Sequence, residues 1–241
     1  MHRFFANRID ESHAELLPDE AKHALQVLRL LEGAEVQILM EENIYSAVIE
    51  SITPSVSVLL HSLLPSPEPK TKITLYQGLP KGDKMEFLIQ KCVESGVHTI
   101  CPVQMTRSIA KIASKEVEKK TIRFQRIANE AAKQAGRAHT PQVTPIMSQK
   151  TFLQKLSSHD LCLVAWEEGI KPLKEILFSS TFPPLDIAIV IGPEGGIPAQ
   201  DVDTMKEAGA IPITLGKRIF RTETAGLASG IMTLTLVGEY E

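Results

Sequence analysis

Asp186-Ile-Ala-Ile-Val-Ile-Gly192-Pro-Glu-Gly-Gly196 and Ile211-Pro-Ile-Thr-Leu-Gly216-Lys-Arg-Ile-Phe-Arg221-Thr-Glu-Thr-Ala225 decide the fold. Each begins with a short, β-branched apolar run that reads as a buried strand. Each run breaks at glycine, where the backbone reaches conformations closed to other residues. A helix is expected after each break. Strand, glycine loop, helix is how open α/β sheets build a ligand crevice at the carboxyl ends of their strands. Neither loop is a phosphate loop or a dinucleotide fingerprint, because GxxxxGK[ST] and GxGxxG are both absent. The glycines expose backbone groups suited to the edge of a flat ligand, or they only turn the chain. Two such loops in succession favour a shared ligand.

Working outward, the segment upstream of these strands alternates between strand and helix signals, the pattern of a mostly parallel sheet. Strands are expected at Ile73–Gln77, Thr99–Val103, Leu161–Trp166, Ile187–Ile191 and Ile211–Leu215. Helices are expected at Asp83–Ser95, about Lys115–Gln134, and Thr222–Val237. Pro65-Ser-Pro-Glu-Pro-Lys70 reads as a linker, since stacked prolines disfavour helix and sheet. Before it, Val36–Met40, Tyr45–Ile49 and Val56–Leu60 have barrel-like spacing, with one helix over Asp19–Leu31. The expected division is therefore a barrel domain at 1–68 and an α/β domain at 71–241.

No apolar run approaches the roughly 20 residues of a membrane span, and the N-terminus lacks a secretory h-region. Cys92, Cys101 and Cys162 are odd in number, sit in apolar elements and form no CxxC pair. They read as reduced core residues of a cytoplasmic protein, with neither metal nor membrane expected.

The net charge is −3, but its distribution is uneven. Residues 107–139 carry nine basic side chains against three acidic ones. Lys119, Arg123, Arg126, Glu130, Lys133 and Arg137 follow helical spacing along one face, and Val117, Phe124, Ala128, Ala131 and Ala135 line another. The stripe is either a phosphate-binding surface or an ordinary solvated face. Residues 1–66 carry four Lys or Arg against ten Asp or Glu. In the second glycine loop, Arg218, Arg221 and Glu223 bunch at an expected helix start where Thr222 is a candidate N-cap. Arg221 there either positions an anionic group or pairs locally with Glu223. Nucleophilic hydrolysis has no supporting motif.

The two glycine signatures resemble the cofactor-binding loops of SPOUT methyltransferases. Met1-His-Arg-Phe-Phe, His23–Arg29, Lys81-Gly-Asp-Lys-Met-Glu86, Gln90-Lys-Cys-Val-Glu-Ser-Gly-Val97 and Glu130-Ala-Ala-Lys-Gln-Ala-Gly-Arg137 extend the resemblance. Over nearly the whole chain it is similar to the RsmE family of 16S rRNA (uracil-N3) methyltransferases. The resemblance implies an α/β fold: a SPOUT-type trefoil-knotted parallel-sheet domain behind a small N-terminal PUA-like β-barrel. It implies S-adenosyl-L-methionine as cofactor, held by Ile191, Gly192, Pro193, Glu194, Gly195, Gly196, Leu215, Gly216, Ile219, Phe220, Arg221, Glu223, Thr224 and Ala225. It implies Arg221 and Glu194 as catalytic residues. RNA contacts are expected from Arg3, Arg8, His23, Arg29, Lys81, Lys84, Lys91, Arg107, Arg123, Arg126 and Arg137. The implied partners are 16S rRNA or the small ribosomal subunit, and a second copy of the chain in a homodimer. The alternatives are a non-catalytic knotted RNA-binding protein, or a methyltransferase with a different RNA target.

Overall fold

The computed structural model describes residues 1–178 and 184–240. The chain divides into two compact units. Met1–Glu68 with Ala132–Thr140 form the first, and Pro69–Ala131 with the chain from Pro141 onward form the second.

The first unit is a closed barrel. Its strands are β1 (His2–Arg8), β2 (His13–Leu16), β3 (Glu35–Met40), β4 (Asn43–Ser51) and β5 (Ser57–Leu64), ordered β1-β2-β5-β4-β3. A parallel ladder between β1 and β3 closes it, leaving no free sheet edge. Alternate residues point inward and build a core from Phe4, Val36, Ile38, Ile49 and Val58. The PUA-like barrel thus has five strands where the residue patterns show three. β1 escapes a pattern search because only Phe4 and Ala6 in it are buried, and β2 is four residues long.

The helix expected over Asp19–Leu31 is also cut short. Helix α1 covers Pro18–Lys22, then widens into a π turn at His23–Val27. Arg29 takes a φ of 53°, which ends the helix without a glycine or proline to announce it. Leu25, Leu28 and Leu30 pack on the barrel core, so burial overrides the helical register here. Residues 132–140 are held in this unit by polar contacts. Arg3 Nη1 donates to the Gly136 carbonyl at 2.8 Å. Arg137 is buried and pairs with Glu68 at 2.6 Å. Removing either partner of such a buried pair costs about 3–5 kcal/mol.

The second unit carries β6 (Lys72–Gly78), α2 (Lys84–Glu94), β7 (Thr99–Gln104), α3 (Ser114–Ala135, whose last turn groups with the barrel), β8 (Gln142–Val143), β9 (Met147–Ser148), α4 (Gln149–Leu156), β10 (Leu161–Ala165), β11 (Lys171–Pro172), α5 (Leu173–Phe178), β12 (Asp186–Ile191), α6 (Ala199–Glu207), β13 (Ile211–Thr214) and α7 (Thr222–Leu236). The sheet order is β11-β13-β10-β12-β6-β7-β8, with β9 also on β7. All of these ladders are parallel. Central strands β6, β10 and β12 are buried on both faces, which is why they read as continuous apolar runs.

After β13 the chain returns across the sheet, and α7 packs on α2, β6 and β12. This return is the one expected of the SPOUT-type trefoil-knotted fold, a rare departure from unknotted topology. Small buried residues on α7, among them Ala225, Gly226, Ser229 and Gly230, permit the close packing. A Cβ on Gly226 would stand 2.9 Å from Gln77 Oε1 and 3.0 Å from Leu88 Cδ1.

Candidate functional site

The carboxyl ends of β10, β12 and β13 open into a cavity of about 690 Å³. That size falls within the roughly 300–1,000 Å³ of small-molecule sites. Of the expected cofactor residues, Ile191 through Gly196, Leu215, Gly216, Ile219, Phe220, Arg221 and Ala225 line it. Glu223 and Thr224, in the first turn of α7, are not among the lining residues.

The two glycine loops are consecutive along the chain but not across the sheet. β10 lies between β12 and β13, so a third loop, Ala165-Trp166-Glu167, forms part of the wall. Trp166 Nε1 donates to the Ile197 carbonyl at 3.1 Å, tying this loop to the first glycine loop. Glu167 is exposed and approaches the backbone of Gly196. No glycine signature marked this loop. The available signal was the chain's single tryptophan immediately after a buried strand.

Two residues expected on RNA reach the first glycine loop, Lys81 through its backbone N–H and Lys84 through its ammonium. Glu194 Oε1 accepts from the Lys81 N–H at 3.0 Å and from Lys84 Nζ at 3.0 Å. Lys84 Nζ also stands 3.5 Å from Glu223 Oε2, a charge contact too long to count as a hydrogen bond. The Lys84 ammonium is raised above its ordinary pKa, chiefly by its hydrogen bond to Glu194. Partial burial pushes Glu194 upward, but the Lys81 N–H and the Lys84 ammonium outweigh it and hold the carboxyl below its ordinary value. A carboxylate held below its ordinary pKa is a poor proton acceptor and a good loop anchor.

Glu194's stabilising contribution is complete above the ordinary carboxylate range and is lost as pH falls through its lowered pKa. Thermal unfolding followed from neutral to acid pH should show Glu194→Gln losing less stability than the parent in that window. Parallel curves for the two proteins would remove this carboxylate from the acid response.

Most of the other cations expected on RNA have intramolecular partners. In the barrel, Arg3 donates to Gln37 at 2.7 Å and Arg8 pairs with Glu41 at 3.0 Å. His23 and Arg29 are exposed. In the second unit Lys91 pairs with Glu94 at 2.8 Å, Arg123 with Glu86 at 2.7 Å, and Arg126 with Glu130 at 3.9 Å. Arg107 donates to the Gly195 carbonyl at 3.2 Å. Arg137 lies past the end of α3 and is buried against Glu68, so it leaves the proposed stripe altogether. Lys133, also in the stripe, is paired with Glu20. By contrast Lys217, Arg218 and Arg221 line the cavity, are exposed, and their side chains make no hydrogen bond or ion pair among the described residues. Arg221 is the residue that precedes α7, with an extended backbone and no side-chain capping contact. It does not pair with Glu223.

A glycine-lined cleft at the carboxyl ends of a knotted parallel sheet, rimmed by free cations, defines a methyltransferase-type domain. The RNA methyltransferase domain family matches residues 66–233. A ribosomal RNA small subunit methyltransferase E from Bacillus subtilis strain 168 is 34% identical, with 94% of this chain and 93% of that protein covered. One from Aquifex aeolicus is 28% identical, with 93% and 95% covered. The crystal structure of a ribosomal RNA small subunit methyltransferase E from Neisseria gonorrhoeae, bound to S-adenosyl methionine, superposes with a TM-score of 0.82 at 30% identity over 100% of both chains. The chain belongs to the ribosomal RNA small subunit methyltransferase E family.

Proposed function

We propose that this protein, acting as a cytoplasmic homodimer, transfers a methyl group from S-adenosylmethionine to N3 of a uridine in 16S rRNA. The observation that carries this reading is the cavity with uncommitted cations at its rim. The donor set suits a zwitterionic sulfonium ligand. The side chains of Glu167, Lys217 and Arg218 have no partner among the described residues, and the glycine loops offer backbone groups at close range.

The bound cofactor supplies an electrophilic methyl on sulfur, so the protein's task is orientation and electrostatics. Uridine N3 carries a proton that must leave as the nitrogen–carbon bond forms. Negative charge then develops on the flanking carbonyl oxygens. Arg221, which lines the cavity with no side-chain partner among the described residues, stabilises that charge. Glu194, engaged by Lys81 and Lys84, anchors the first glycine loop. The target base must be unpaired or extruded for N3 to be reached. Lys217 and Arg218 supply phosphate attraction at the same rim.

The deciding experiment incubates the purified protein and isotopically methyl-labelled S-adenosylmethionine with small subunits from a strain lacking the gene. Mass spectrometry then maps the labelled base. The expected result is one methylated uridine that blocks Watson–Crick pairing. A label on another nucleotide would redirect the target. Cofactor binding without transfer to any rRNA would favour a non-catalytic RNA-binding role.

A further inference from the structure

Gln77, at the end of β6, is fully buried. Its Nε2 donates to the Gly78 carbonyl at 3.0 Å and to Thr222 Oγ1 at 2.7 Å. Thr222 Oγ1 in turn donates to the Gly192 carbonyl at 2.5 Å. The direction of this chain is forced. The Gly78 carbonyl can only accept, so the amide nitrogen and not its oxygen must face it. The second N–H of the amide then points at Thr222 Oγ1. The threonine hydrogen has one direction left, toward the Gly192 carbonyl, which also can only accept.

The other end of the amide confirms which side matters. Gln77 Oε1 is buried without a hydrogen-bond partner among the described residues, an arrangement that costs stability. It faces Gly226, where any Cβ would press on it. Turning the amide over would set its oxygen against the Gly78 carbonyl and draw the threonine hydrogen away from Gly192, leaving two carbonyls without a donor.

We propose that Gln77 is a positioning residue for the methyl-donor site, acting as a one-way clasp that fixes the start of α7 against the first glycine loop. Gly192 opens the first loop lining the cavity, and Thr222 follows Arg221 directly. The clasp therefore sets the distance between the backbone that lines the cavity and the guanidinium at its rim. The role as a donor site rests on the function proposed above, whereas the clasp itself does not.

Two measurements separate these. Amide hydrogen exchange on the ligand-free protein reads the clasp alone. Gln77→Glu replaces the donating NH2 by an oxygen at nearly constant shape, and Thr222→Val removes the relay hydroxyl. Each should speed exchange at 192–197 and 222–226 while leaving the barrel unchanged. Calorimetry with S-adenosylmethionine reads the consequence. Each variant should weaken binding by roughly tenfold or more, and the double variant should be no worse than the weaker single one. Thr222→Ser, which keeps the hydroxyl, should recover most of the affinity lost in Thr222→Val. If Gln77→Glu does not fold, the Thr222 pair decides alone. Unchanged exchange and affinity in Thr222→Val would overturn the proposal. Faster exchange in a protein that never bound the cofactor would keep the clasp and defeat the reading of the cavity.

Discussion

Arg221→Ala is expected to lower the single-turnover rate of methyl transfer to rRNA by about 10²–10³-fold, the usual effect of deleting one preorganised group aimed at developing charge. The fold should survive. Arg221 is exposed and its side chain has no hydrogen bond or ion pair among the described residues, so its removal leaves no buried partner stranded. Stability should change by no more than about 0.5 kcal/mol. Cofactor affinity should change far less than the rate, because the loops that line the cavity are held by other contacts. Arg221→Lys keeps the charge but not the planar fork, and should recover only part of the loss. A rate equal to the parent's with Arg221→Ala would remove this residue from the chemistry. A fall in affinity matching the fall in rate would make it a binding group instead.

Gly78→Ala should be nearly as damaging by a different route. Gly78 ends β6 directly against the first glycine loop. A Cβ there would lie 2.6 Å from Pro193 N and 2.9 Å from the Gly192 carbonyl carbon. Those are backbone atoms, so no side chain can rotate away, and the loop itself must shift. Displacing a binding loop by about 1 Å typically costs on the order of 100-fold. Calorimetry should therefore show a loss of that order in S-adenosylmethionine affinity, with a stability loss of about 1–3 kcal/mol from overpacking. Gly209→Ala provides the control. Gly209 has a φ of 94° and open space around its Cβ position, so the substitution should strain the backbone and lower stability without weakening binding. Parent-like affinity for Gly78→Ala would mean that the first loop is looser than its packing indicates.

Much of the α/β unit was legible in the chain because its signals are local. β12 and β13 announce themselves as β-branched runs ending in glycine. The helix expected over Lys115–Gln134 is α3, Ser114–Ala135, and of its expected apolar face it buries Phe124, Ala128 and Ala131, whereas Val117 is half-buried and Ala135 is exposed. The barrel was less legible. Glu41 and Glu42 turn between β3 and β4 with positive φ values of 54° and 62°, where turn chemistry would favour Asn or Gly. The π turn after α1 has no sequence mark at all. In both places packing of the closed barrel overrides local preference.

The charges teach the sharper lesson. Arg123 meets Glu86 from α2, and Arg137 meets Glu68, which lies 69 positions earlier in the chain. Spacing along one helix reveals which face a cation shares, but not which distant carboxylate will neutralise it. The same limit hid the third wall of the cavity, since β10 enters between β12 and β13 only through the order of strands in the sheet. The amino-acid sequence alone determined the two glycine turns, because glycine's backbone freedom and a β-branched run act within a few residues. Only the tertiary structure decided which charges stay free and which loops meet around the cavity, because ion pairing and strand order depend on contacts between segments far apart in the chain.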